Sequence, residues 1–192
     1  MAYEEPPFQL IKNIDGIEIR KYSEYLVAEA EVTGDRDESG SAGFKILASY
    51  IFGKNEGKHS ISMTAPVIQS ETLSTETSGP FFQQPMAGAT SQNSPQRWKV
   101  QFMMPSKYSL ESIPKPLDPN VHLKVVSEKK VAAITYSGRW TESNYQENLN
   151  ILKQALEKAH LKTKSTAPLW ARYNSPFTPW FLRKNEILIE IE

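Results

Sequence analysis

HLKVVSEKKVAAITYSGRWTESNYQENLNILKQAL, residues His122 to Leu156, changes its period halfway along. In its first part Val131, Ala133 and Thr135 fall on one side, and Ala132, Ile134 and Tyr136 on the other. That period of two is what a strand requires. Ser137-Gly138 ends the strand, because glycine accepts backbone angles that other residues avoid. Thr141 is placed to cap a helix by accepting from its free N–H groups, with Glu142 at the positive end of the helix dipole. Beyond it Tyr145, Leu149, Leu152 and Leu156 recur three and four residues apart and line one helical face.

The same order of elements occurs earlier in the chain. Ile19-Arg20 laid over Leu123-Lys124 keeps register without a gap as far as Gly34 over Gly138. Ser23-Glu24 then falls on Ser127-Glu128, and Val27-Ala28 on Val131-Ala132. After Gly34 a second apolar helical face follows, made of Phe44, Leu47, Ala48 and Ile51. Two copies of a strand–helix unit imply a pseudo-twofold architecture with a groove where the halves meet.

Outside these units the chain reads mainly as strands. Residues 1–7 are expected to form a flexible arm. Phe8 to Ile14 and Ile17 to Tyr22 are strand candidates split by Asp15-Gly16, a dipeptide that favours a tight hairpin turn. Ser39 or Ser41 is expected to cap the first helix, which should stop near Gly53. Ile61 to Gln69 is a further strand candidate, with Pro66 at an edge or bulge because it cannot donate to a ladder. Residues 70–96 are rich in Ser, Thr, Gln, Gly and Pro and read as a long irregular loop or insertion, pinned locally by Phe81-Phe82. Arg97 to Met104, Leu169 to Asn174 and Glu186 to Ile191 complete the strands, the last with Ile187, Ile189 and Ile191 turned inward. The fold class is α+β, mostly antiparallel, in a single domain over residues 1–192.

Composition narrows the function. The 192 residues carry 22 basic and 22 acidic side chains, so no global field draws the chain to nucleic acid or to an anionic surface. With no cysteine there is no thiol nucleophile, thiolate metal site or disulfide framework. No apolar run approaches the ~20 residues of a spanning helix, and the acidic, proline-bearing start is wrong for a secretory signal. A cytoplasmic protein is the expectation. Nucleophilic catalysis finds little support: there is no G-x-S-x-G elbow, and His59, His122 and His160 have no recognisable relation to a serine and an acid. No catalytic residue is assigned, and no H-E-x-x-H or other zinc pattern occurs.

What the sequence does offer is pocket-forming character. Tyr50-Ile51-Phe52, Met63 and the stretch Phe177 to Phe181 place large apolar residues outside any regular alternation. A flat apolar ligand gains from such a cleft by burial and by stacking on Trp and Phe. Arg172, Arg183 and Lys184 lie close by in sequence and suit ligand carboxylates.

These residues also carry a family resemblance. Phe44-Lys45-Ile46-Leu47 with Tyr50-Ile51-Phe52-Gly53-Lys54-Asn55, then Met63-Thr64-Ala65-Pro66-Val67, and later Tyr173-Asn174-Ser175-Pro176-Phe177 with Arg183-Lys184-Asn185-Glu186 resemble the SOUL haem-binding family. The match runs in order from about Tyr22 to Ile191. The resemblance implies a distorted antiparallel β-barrel with two helices in a pseudo-twofold repeat, similar to the bacterial effector-binding, gyrase-inhibitor-like architecture. It also implies non-catalytic binding of haem or another tetrapyrrole in a hydrophobic cleft beside the first helix, by a carrier, buffer or scavenger. Carried over by position, the cleft draws on Phe44, Leu47, Ile51 and the loop from Phe177 to Trp180.

One position departs from the family. Some members hold a histidine, proposed as the iron ligand, between the Arg and Tyr of the strand ahead of the first repeat helix; here Lys21 occupies it in Arg20-Lys21-Tyr22. A protonated lysine has no lone pair to give, which leaves the metal ligand unassigned and His59 as the substitute to weigh. Two other functions stay open: a general effector-binding module for planar ligands, and a hydrolase using the same cleft with Glu186 as acid or base and Tyr173 or Trp180 shaping the site.

Overall fold

Among the described residues nine strands and two α-helices succeed one another as β1 (Phe8–Ile14), β2 (Ile17–Tyr22), β3 (Tyr25–Thr33), α1 (Arg36–Ile51), β4 (Val67–Glu71), β5 (Arg97–Met103), β6 (Val121–Val126), β7 (Lys129–Tyr136), α2 (Glu142–Lys158), β8 (Leu169–Arg172) and β9 (Asn185–Glu190). The computed structural model describes residues 3–72, 96–175 and 177–192. All strands join one curled antiparallel sheet, a half-barrel in the order β1-β2-β7-β9-β8-β4-β5-β3-β6. The β1–β2 hairpin turns on Asp15 and Gly16, both at positive φ (50° and 86°), as its Asp-Gly sequence requires.

The duplication is carried into the pairing. β2 pairs with β7 and β3 with β6, so each half lends a strand to the other. Ile17 faces Ile134; moved by the 104 residues that separate Ile19 from Leu123, this pair becomes Val121 facing Ala30, which is also observed. The two glycines that close the repeat, Gly34 and Gly138, both adopt positive φ (139° and 120°). The halves meet in mid-sheet, where β8 pairs with β4.

Strand alternation separates two faces. On one, α2 covers Ile17, Ile19, Ala132, Ile134, Trp170, Ile187, Ile189 and Ile191 with Tyr145, Leu149, Leu152 and Leu156. On the same face α1 covers Ala28, Ala30, Val100, Phe102 and Val121 with Leu47, Tyr50 and Ile51. The opposite face gathers Tyr22, Ile68, Val131, Ala133, Ala171 and Leu188, flanked by Tyr25, Leu169 and Tyr173. Residues 3–7 run across this second face. Ala65 N–H donates to Glu4 O (2.9 Å), Ser106 N–H to the Glu4 carboxylate (2.8 Å) and Ser23 N–H to Pro7 O (3.3 Å).

Strand ends shift by one or two residues from the sequence reading, as where β8 stops at Arg172, and three boundaries differ by more. The first helix starts at Arg36, not beyond Ser39, because the Asp35 carboxylate accepts from Glu38 N–H at 2.8 Å. Ser39 is instead buried inside the helix, where its hydroxyl donates to Arg36 O and accepts from Gln69. The strand expected from Ile61 begins only at Val67, since Pro66 has no N–H to offer the ladder. Of the irregular segment expected over 70–96, Ser70 and Glu71 finish β4; residues 73–95, with Phe81-Phe82, lie outside the described residues.

Candidate ligand-binding site

α1 presses on the sheet through glycines. A Cβ on Gly43 would stand 2.5 Å from Val100 Cγ2, and one on Gly40 would stand 2.7 Å from Arg172 Nη2 and 2.8 Å from Gln69 Oε1. The bare backbone at Gly40 therefore admits Arg172, from the far half of the molecule, to the side of α1. Arg172 Nη2 donates to Gln69 Oε1 (2.8 Å), and Gln69 Nε2 donates to Arg36 O (2.6 Å) and Ser39 Oγ (3.1 Å).

From this contact a ladder of guanidinium and aromatic groups runs along the seam between the helices. The Arg183 guanidinium lies 4.3 Å from the Trp140 ring centroid, and that of Arg172 lies 5.3 Å from Trp140 and 4.9 Å from Trp170. Arg36 follows at 5.7 Å from Trp170, 4.0 Å from Tyr145 and 5.1 Å from Trp98. Each pair is a cation–π contact, strengthened where the cation is desolvated. Glu142 binds Arg36 at 2.5 Å, joining the first residues of the two helices. Arg172 has no such partner: among the described residues no carboxylate lies within ion-pair distance of it. Burial, with Arg36 adding to it, pushes Arg172 down to about 10 against the opposing pull of Asp37, so it remains a cation at neutral pH. Beside it the buried Tyr136 hydroxyl and Trp170 Nε1 face each other: burial pushes the hydroxyl up, and the indole N–H works against that.

The opposite face holds a closed polar network. Arg20 grips Glu186 with both arms, Nη1 to Oε2 and Nη2 to Oε1, each at 2.9 Å. Tyr173 donates to Glu186 Oε2 (2.6 Å), Thr135 donates to Oε1 (3.0 Å), and Arg20 also donates to Tyr22 Oη (3.1 Å). Burial opposes both charges. The pairing prevails, and Glu186 is held below the ordinary carboxylate range. Burial, and then the Glu186 charge, push the Tyr173 hydroxyl up. A carboxylate so occupied is a structural acceptor. Next to it Pro6, Tyr22, Tyr25, Ile68 and Leu169 line a cavity of about 10 Å³, room for one water at most.

The sequence-predicted residues divide by exposure. Phe44, one turn beyond Gly40, is 37 % exposed and packs edge-on against Phe102 at 5.3 Å. Leu47 and Ile51 are buried beneath it in the α1 core, and Met63 packs against the same cluster. Arg172 and Arg183 are brought together on Trp140. Phe177 and Trp180 are 96 % and 50 % exposed in the loop between β8 and β9, where Trp180 O accepts from Gly138 N–H (3.1 Å). The ladder members Trp140, Trp170 and Arg36 were not singled out by the sequence. The one local signal, Arg139-Trp140 ahead of the Thr141 cap, reads equally well as an ordinary turn.

Among the described residues a plate-shaped ligand finds an open surface here. The seam cavity lined by Arg36, Gln69, Trp98, Tyr145, Pro168 and Trp170 measures about 30 Å³, far too small for a tetrapyrrole. The partly exposed aromatics and the Arg172 and Arg183 guanidiniums do suit a group with one apolar plate and peripheral carboxylates. Its iron is less well served. Lys21 pairs with Glu128 at 2.9 Å. His59, His122 and His160 are exposed, on the turn after α1, on β6 and past the end of α2. Among the described residues no group of three His, Cys, Asp or Glu converges on a metal position, and no helix is long and apolar enough to cross a membrane.

The chain is 28 % identical over 177 residues to Heme-binding protein 2 of Homo sapiens, covering 88 % of this chain and 78 % of that one. In fold it is similar to the EcmrR C-terminal domain (TM-score 0.63, 10 % identity, 96 % and 98 % of the two chains covered). A hydrolase from Listeria innocua is similar too (TM-score 0.59, 11 % identity, 95 % and 94 % covered). At such identities these two share the architecture alone. The family model described as SOUL heme-binding protein matches residues 3–190, and the chain belongs to that family.

Proposed function

We propose that this chain binds haem or a related tetrapyrrole without transforming it, as a carrier, buffer or scavenger. The plate lies along α1 against Phe44 and the Phe177–Trp180 loop, and its carboxylates turn to Arg172 and Arg183. The observation that carries this reading is Arg172, a part-buried cation beside the bare Gly40 backbone with no carboxylate at ion-pair distance among the described residues. Desolvating a charge without a counter-charge is costly, and a ligand carboxylate removes that cost. Membership of a haem-binding family supports the ligand class.

When bound, the tetrapyrrole supplies an apolar plate, acidic groups and, in haem, a metal. The chain supplies burial and charge pairing. With no imidazole at the seam, iron adds little to affinity. Titration with haem and with the iron-free porphyrin should therefore give saturable Soret shifts with dissociation constants within a few-fold of each other. Absence of any shift at micromolar haem overturns the reading.

A further inference from the structure

The loop from Phe177 to Lys184 presents apolar side chains to water from a firmly anchored backbone. Phe177 is 96 % exposed, Trp180 50 %, Phe181 59 % and Leu182 64 %. Four such neighbours form a patch of the kind that marks an interaction surface. Leu182 N–H donates to Pro179 O (2.9 Å), Arg183 N–H to Trp180 O (3.3 Å), Arg183 Nε to Thr178 O (2.8 Å) and Lys184 N–H to Asn174 Oδ1 (2.6 Å). Phe181 stands edge-on to Trp180, with ring centroids 5.6 Å apart. The exposed Arg139 lies over Trp180 at 5.8 Å, and at the base of the loop Arg183 stacks on Trp140 at 4.3 Å while Lys184 is paired with Glu5 (3.2 Å) and Glu186 (3.8 Å), so the charge free to meet a surface is chiefly that of Arg139.

We infer that this loop docks the protein on the surface of an anionic lipid bilayer. A wedge of Phe, Trp and Leu with basic residues at its base matches the interface of a membrane, where aromatic rings sit at headgroup level and cations meet anionic lipid. Phe177, almost wholly free of the protein, stands proud of the surface. A bilayer accepts a proud wedge without a matching pocket, which a protein partner would have to supply. The contact is peripheral and needs no spanning helix.

The inference does not depend on the tetrapyrrole reading, and its test uses ligand-free full-length protein. Co-sedimentation with phosphatidylcholine vesicles and with vesicles containing about 30 % phosphatidylserine should show binding to the second, weakened by salt as charge screening requires. The double variant Phe181→Ser/Leu182→Ser alters two exposed side chains and should keep the wild-type circular dichroism. It should lose roughly tenfold or more in vesicle affinity. Failure of the wild type to sediment with the anionic vesicles overturns the inference, and so does unchanged binding by the double variant.

Discussion

Arg20 on β2 and Glu186 on β9 lie 166 residues apart and meet through two hydrogen bonds of 2.9 Å, both groups almost wholly buried. β7 separates their strands in the sheet, so the pair spans three adjacent strands, one from the first half and two from the second. Removing one partner leaves a buried charge alone, which costs about 3–5 kcal/mol. Glu186→Gln and Arg20→Met should each lower unfolding free energy by about that much in urea titrations. The double variant should cost less than the two single changes added together.

The same pair makes stability depend on acid. Glu186 is held below the ordinary carboxylate value of 4.5 in the folded chain. Its contribution is therefore complete above that value and is lost as pH falls through the lower, folded one. Urea midpoints measured from pH 7 down to pH 3 should fall more steeply for the wild type than for Glu186→Gln. Parallel curves would assign the acid sensitivity to other groups.

Gly43 fixes how closely α1 approaches β5. An added methyl would meet Val100 at 2.5 Å from Cγ2 and 2.6 Å from Cβ, so the helix must lift or Val100 must turn. Gly43→Ala should cost about 1–3 kcal/mol despite alanine's better helix propensity. Val100→Ala in the same chain should return part of that loss, read as a rise in melting temperature over the single variant.

How much of this was legible depended on where the information lay. Strand β7 and helix α2 show their periods because each has one wet face, and the burial of Tyr145, Leu149, Leu152 and Leu156 matches the spacing. The repeat was legible to Gly138, but the exchange of β2 and β6 between halves was not, because strand partners are set by contacts far apart in sequence. The start of α1 was hidden by Gly40 and Gly43, poor helix formers that packing against the sheet favours. At the site, Arg172 and Arg183 stood out as cations beside an aromatic stretch. Arg36, Trp140 and Trp170 did not, since only tertiary packing stacks them. The inward direction of Leu47 and Ile51 likewise follows from the sheet beneath α1 and from nothing in the motif around them.

The helix caps offer an internal comparison. Asp35 accepts from Glu38 N–H at 2.8 Å, whereas Thr141 accepts from Asn144 N–H at 3.4 Å. Asp35→Ala should cost about 1 kcal/mol and Thr141→Ala less, within a usual range of about 0.5–2 kcal/mol. Ser41→Ala, at an exposed helical position, should change stability by no more than about 0.5 kcal/mol. Chemical denaturation of the three variants checks the order, and a larger loss at Ser41 would move the helix start.

Arg172→Met separates charge from shape at the seam. Methionine keeps much of the apolar stem between Trp140 and Trp170 and removes the guanidinium. Because the native cation is part-buried without a carboxylate at ion-pair distance among the described residues, ligand-free stability should hold or rise. A charge-assisted hydrogen bond is worth about 1.5–3 kcal/mol, so affinity for a porphyrin with free carboxylates should drop by about ten- to a hundredfold. Its dimethyl ester has no charge for Arg172 to meet and should bind wild type and variant alike. Equal losses for acid and ester would make Arg172 a wall of the groove, and the carboxylate would then have to be met by Arg183 alone.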